Sequence, residues 1–165
     1  MMSSSRRNEL RRRYLSLGLG ELSAAAVFAS IALTMAEPRL DGREESLAMW
    51  SALIPLLAVL VQAGIYWLMA RSWVELNPMP PVIRALYRVC RVANVPLLAA
   101  GLIGVVVWFP SSAGIGVALL VVWLFAVVEF VNYFVVRLSY PAHRWWPTVG
   151  QMRTPRLVLD INTRR

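Results

Sequence analysis

Residues 114–136 read GIGVALLVVWLFAVVEFVNYFVV, with Glu129 as the one charge. A helix crosses the roughly 30 Å hydrocarbon core of a bilayer in about 20 residues, so this run is long enough to span. Lipid offers a backbone no hydrogen-bond partner, so the run is expected to be helical. Working outward, three more segments have the same character: Leu17–Ala36, Leu47–Ala70 and Val92–Pro110. The 165-residue chain is 58% hydrophobic with a mean hydropathy of +0.57, above the roughly 45–50% of a soluble domain. The excess sits in four blocks, which points to spans and not to one large core. The expected fold is therefore all-α, an integral membrane four-helix bundle with spans 17–36, 47–70, 92–110 and 114–136. A basic segment, 1–16, precedes it and a basic tail, 137–165, follows. The link PSSAG makes the third and fourth spans a tight antiparallel hairpin. A competing reading takes RRRYL and the apolar run ending at TMA as a cleaved export signal, which leaves three spans.

Arginine placement gives an orientation. All 17 basic residues are Arg. Arg6, Arg7, Arg11, Arg12 and Arg13 precede the first span; Arg71, Arg84, Arg88 and Arg91 lie between the second and third. Arg137, Arg144, Arg153, Arg156, Arg164 and Arg165 follow the fourth. The loop EPRLDGREES holds only Arg39 and Arg43, against four acids. Cytoplasmic loops carry the excess of basic residues, so both termini are expected in the cytoplasm of a bacterial cytoplasmic membrane. Tyr14, Trp50, Tyr66, Trp67, Trp73, Trp108, Trp145 and Trp146 fall near the expected interfaces, where aromatic belts form.

Between spans two and three, PPVIRALYRVCR puts Arg84, Arg88 and Arg91 on one helical stripe and Val82, Ile83, Leu86 and Val89 on another. This reads as a short interfacial amphipathic helix, its arginines contacting anionic lipid, a protein partner, or the acids Glu75 and Glu129. Arg137 is a fourth contact candidate. The first dozen residues are expected to stay disordered until lipid or a partner orders them. In the tail, MRTPRLVLDI docks back on the bundle, lies on the surface, or belongs to a partly disordered basic end.

The polar groups within the spans gather toward the arginine side. At 1.5 Å per residue, Glu129 lies roughly 10 Å deep, Gln62 about 12 Å, Glu21 about 6 Å and Asn94 about 3 Å. Asn132 and Tyr133 fall one turn closer to that side, on faces overlapping that of Glu129. The other half of the spans offers little beyond Ser, Thr and apolar side chains, which argues against a continuous aqueous pore. Glu129, Asn132, Tyr133, Gln62 and Glu21 are thus the candidates for a ligand or proton site. The simplest expectation is that Glu129 pairs with an arginine of the inner surface, backed by Asn132, Tyr133 and Gln62.

Several chemistries are disfavoured. Cys90 is the single cysteine and His143 the single histidine, so neither a disulfide, a Cys/His metal set nor a catalytic triad can be assembled in the usual way. No paired acids or phosphate-cradling glycine loop appear at the inner surface, so no enzyme activity, cofactor or metal is expected. The expected partners are membrane lipids and a protein on the cytoplasmic face or a second copy of the chain, not nucleic acid.

The stretch Glu129-x-x-Asn132-Tyr133-Phe134-x-x-Arg137-Leu138-Ser139-Tyr140, with the tail ending Leu159-Asp160, resembles the C-terminal part of small bacterial four-span membrane proteins of no assigned chemistry. It covers the last quarter of the chain and implies a fold and no activity. YLSLGLGE is similar to the first span of the small multidrug exporters, which carry an essential glutamate there; the similarity sets Glu21 in that role. The chain departs in its greater length, its charged first loop and the shallow position of Glu21. Two functions are expected: a non-enzymatic accessory or interaction subunit using the Arg-rich cytoplasmic face, or a small proton- or cation-coupled secondary transporter using Glu129.

Overall fold

The computed structural model describes residues 2–74, 77–136 and 154–162. Among the described residues it is all-helical, with four helices long and apolar enough to cross a membrane. These are α1 (Met2–Ile31), α2 (Arg43–Trp73), α3 (Pro81–Val107) and α4 (Ala113–Phe134), and a short α5 (Arg156–Asn162) follows. The helices run beyond the expected spans at both ends of α2 and at the start of α3. At its far end α1 loosens into a π turn (Ala32–Ala36) and a 3₁₀ turn (Glu37–Arg39). Two local causes act there. Thr34 Oγ1 bonds back to the Ser30 carbonyl at 2.7 Å, and Pro38 has no N–H to continue the ladder.

Helix α2 is central, packing against α1, α3 and α4, while α3 and α4 also touch each other. Successive helices are antiparallel: Tyr14 of α1 meets Trp67 of α2, and Gly101 of α3 abuts Ser51 and Pro55. The start of α1, the end of α2, the start of α3 and α5 thus share one end, the arginine end. The turns with Glu37, Asp41, Glu44 and Glu45 share the other.

Close packing depends on glycine where backbones touch. Gly18 and Gly64 form the crossing of α1 on α2; a Cβ on Gly64 would stand 2.7 Å from Leu22 and 3.1 Å from the Gly18 carbonyl. Pro55 in α2 leaves the Ser51 carbonyl without its usual helical donor, and α3 lays Gly101 on that oxygen. A Cβ there would come within 2.7 Å of it and 2.8 Å of the Pro55 ring. Both neighbours are rigid. Gly101→Ala should therefore lower stability by about 1 kcal/mol net, although Ala favours the helix by about 1 kcal/mol over Gly. Thermal unfolding in detergent measures this; an unchanged or higher midpoint would show that α3 can move off α2 freely.

The core divides by chemistry. Toward the acidic end it is aliphatic and small: Ala48, Ala52, Leu53, Leu56, Leu60, Leu98, Val105 and Ala126. Toward the arginine end it is aromatic: Tyr14, Tyr66, Trp73, Tyr87, Tyr133 and Phe134, joined by Leu157 and Ile161 of α5. The outer surface is inverted relative to a water-soluble protein, with Val27, Leu33, Ile54, Ile65, Ile103, Val106, Val117 and Leu124 exposed. Apolar surface of this kind on four long helices suggests a multi-pass membrane protein.

Three expectations change here. The first dozen residues belong to α1 from Met2 onward, and Leu10 packs on the aromatic core, so packing orders them. The segment expected as a separate amphipathic helix is the opening of α3, which runs unbroken into the apolar stretch because no breaker separates Arg91 from Val92. Its apolar side faces outward, with Val82, Leu86 and Val89 exposed at 79, 55 and 64%. Third, Tyr14, Tyr66 and Trp73 are buried partners in the core and not interfacial anchors. Trp145 and Trp146 lie outside the described residues, as do Glu75, Arg137 and His143.

Candidate functional site

Most of the polar side chains singled out in the spans meet at the arginine half. Glu21 of α1 accepts a short hydrogen bond from Tyr133 Oη of α4. Four residues earlier on α4, Glu129 hydrogen-bonds with the side chain of Asn132 and faces the Glu21 carboxylate. One turn of α4 therefore presents Glu129, Asn132 and Tyr133 toward α1, as their i, i+3 and i+4 spacing requires. Trp67 of α2 stands beside this group, its side chain next to Tyr133. Tyr14 packs on the Trp67 ring with centroids 4.9 Å apart.

The expected arginine partner for Glu129 is not found among the described residues, where the charge facing it is another carboxylate. Arg84 and Arg88 are turned elsewhere: Arg84 Nη2 donates to the Met79 carbonyl at 3.1 Å, and Arg88 Nη2 to the Ile161 carbonyl at 3.2 Å. The backbone explains it, since α3 packs on α2, α4 and α5: Arg84 reaches back to the turn before its own helix, and Arg88 reaches α5.

Gln62 does not back Glu129. Its amide is engaged by Asn94 of α3 in a reciprocal pair, Gln62 Nε2 to Asn94 Oδ1 at 3.2 Å and Asn94 Nδ2 to Gln62 Oε1 at 2.7 Å. Asn94 is almost fully buried, so this pair satisfies four polar positions inside an apolar layer and pins α2 to α3. Tyr87 Oη adds a bond to the Gln62 carbonyl at 2.8 Å.

The sequence gives little warning of a second centre. Asp160 of α5 is buried and accepts from Tyr66 Oη at 2.8 Å and Trp73 Nε1 at 3.3 Å, both on Oδ2. Arg156 pairs with Oδ1 at 3.2 Å. The usable signal was the pattern R-L-V-L-D-I, an i,i+4 Arg–Asp pair within an apolar run. Its partners lie more than eighty residues away and are invisible to local patterning. Of the alternatives for this segment, the structure takes the docked one for Arg156–Asn162.

The opposite end is closed by its own acids. Glu37 accepts from Ser46 Oγ at 2.7 Å and Trp50 Nε1 at 3.1 Å. Glu45, buried, accepts from the Asp41 amide at 3.0 Å and Ser111 Oγ at 3.1 Å. No metal-holding group of His, Cys, Asp and Glu occurs among the described residues. Comparison with family models, with curated proteins and with solved structures finds no match for this chain.

Proposed function

We propose that the chain is a four-span bundle of the bacterial cytoplasmic membrane, termini inside, acting as a non-enzymatic accessory or interaction subunit. It presents its arginine end to a partner. The observation carrying this is an imbalance between the two ends. At the acidic end Glu37 and Glu45 are satisfied by the chain itself. At the arginine end, among the described residues, the buried polar atoms without a partner include the N–H donors Arg7 Nε, Arg71 Nε and Arg84 Nε. A buried donor left unmatched costs about 1–3 kcal/mol, so this end is short of acceptors that a partner or lipid supplies.

The test is site-specific photo-crosslinking in cells from positions Arg12 and Arg13, which lie on the α1 turns nearest this end. A discrete protein adduct, lost when Arg11, Arg12 and Arg13 become Glu, is the expected result. No adduct in intact cells, with the chain purifying alone in mild detergent, sinks the accessory reading.

A second reading, a small proton- or cation-coupled carrier, draws on one observation: Glu21 and Glu129 face each other within the spans beside Tyr133 and Asn132. Flux into proteoliposomes driven by a pH or sodium gradient, abolished by Glu129→Gln with the fold intact, is what this reading requires.

A further inference from the structure

A cavity of about 230 Å³ lies at the start of α3, lined by Pro78, Met79, Pro80, Pro81 and Arg84. Its walls are three prolines' worth of rigid apolar surface and a buried methionine, plus one guanidinium. Helical side chains lean toward the N-terminus of their helix, so Arg84 reaches back under its own first turn into this space. One guanidinium nitrogen, Nη2, is held by the Met79 carbonyl. Another, Nε, is buried and has no acceptor. The cavity is thus pre-shaped and carries a fixed positive charge.

Size and surroundings narrow what fits. The volume is below the roughly 300–1,000 Å³ typical of pockets that enclose a whole small molecule. It suits a single compact group whose remainder lies outside. Guanidinium recognises phosphate and carboxylate oxygens through parallel N–H bonds. Outside, beginning at the same first turn, runs the outward stripe of Val82, Leu86 and Val89, continued by Val92 at 72% exposure. A ligand with an anionic group at the tip of α3 and long apolar chains along its outer face uses both features.

We propose that this cavity seats the headgroup phosphate of an anionic phospholipid, with the Arg84 guanidinium supplying the recognising charge-assisted hydrogen bond and the Val82–Leu86–Val89 stripe lying against the acyl chains. The proposal rests on the reading of the arginine end as the inner face. It differs from a diffuse attraction between arginines and an anionic leaflet, because it names one arginine and one cavity.

The test uses the full chain purified in a neutral detergent, titrated with phosphatidylglycerol, with phosphatidylcholine or with inorganic phosphate, and read by native mass spectrometry. Phosphatidylglycerol should bind about tenfold more tightly than phosphatidylcholine, the scale of one charge-assisted contact. Arg84→Gln should remove that preference, while Arg12→Gln, an equal loss of charge at an exposed position on α1, should change it less than about twofold. Arg84→Lys keeps the charge but not the planar fork of donors and should lose most of the preference; it carries the test if Arg84→Gln does not fold. The pair Val82→Gln and Leu86→Gln should weaken lipid binding. Equal binding of the two lipids overturns the site, as does an equal loss from Arg12→Gln. Inorganic phosphate competing at the lipid's own concentration overturns the lipid assignment in favour of a free anion. Because the assay contains no other protein, these failures leave the crosslinking result untouched, and a missing protein adduct leaves a lipid preference standing.

Discussion

Asp160→Ala should lower stability in detergent by about 2–4 kcal/mol and free the C-terminal helix for proteolysis. The size follows from what the carboxylate does. Tyr66 and Trp73 are both buried and both donate to the same oxygen of Asp160. Removing the acceptor leaves two buried donors unmatched, at about 1–3 kcal/mol each, and part of this is recovered if water enters as α5 leaves. The ion pair with Arg156 is a minor share: that guanidinium is about half exposed, and an i,i+4 pair on a helix surface contributes roughly 0.3–0.5 kcal/mol. Arg156→Ala should accordingly cost less than about 1 kcal/mol. Asp160→Asn should fall between, since the amide oxygen still accepts from Tyr66 while its NH₂ opposes Arg156. Thermal unfolding together with the cleavage rate beyond residue 153 distinguishes these. If Asp160→Ala matches the wild type, the three apolar residues Leu157, Val158 and Ile161 hold α5 without the polar ladder.

How much of this was legible beforehand depends on the range of each interaction. The four apolar helices were visible because span length and hydropathy are local properties. The boundaries were not, because α1, α2 and α3 are extended past their apolar runs by contacts with other elements; Leu10, Trp73 and Met79 are held by the aromatic core. The grouping of Glu129, Asn132 and Tyr133 followed from helical spacing alone. Its expected arginine partner is not among the described residues: Arg84 and Arg88 satisfy the carbonyls of Met79 and Ile161, and Arg137 lies outside them. Gln62 was assigned by depth to the same cluster, yet depth says nothing about which side of α2 a residue occupies, and Asn94 claims it. Aromatic residues near the expected interfaces were read as lipid anchors. In the fold Tyr14, Tyr66 and Trp73 of that set lie in the inner core, with Tyr66 at the centre of edge contacts to Trp67 and Tyr87 at 5.0 and 5.7 Å.

The facing carboxylates give the last expectation. Two ionised groups within one partly buried cluster repel by about 1–3 kcal/mol at an effective dielectric constant near 20. Among the described residues no cation pairs with either, and each has one neutral partner: Tyr133 on Glu21, Asn132 on Glu129. Glu129→Gln keeps the shape and the Asn132 contact while removing one charge. It should therefore raise stability by about 1–3 kcal/mol. In a Glu21→Gln background the same substitution should gain nothing, because the repulsion is already gone; the difference between the two backgrounds is the coupling energy of the pair. A loss of several kcal/mol from Glu129→Gln in both backgrounds would instead identify Glu129 as the ionised partner of a cation, and the charge would be structural. The expected gain has a consequence for function. A carboxylate pair that weakens the fold, set where ionisable groups are costly, is held in place by something other than stability. Gain in the Glu129→Gln variant thus makes the carrier reading the one to pursue, with flux lost as stability rises, whereas loss of stability leaves the arginine end as the working surface of the molecule.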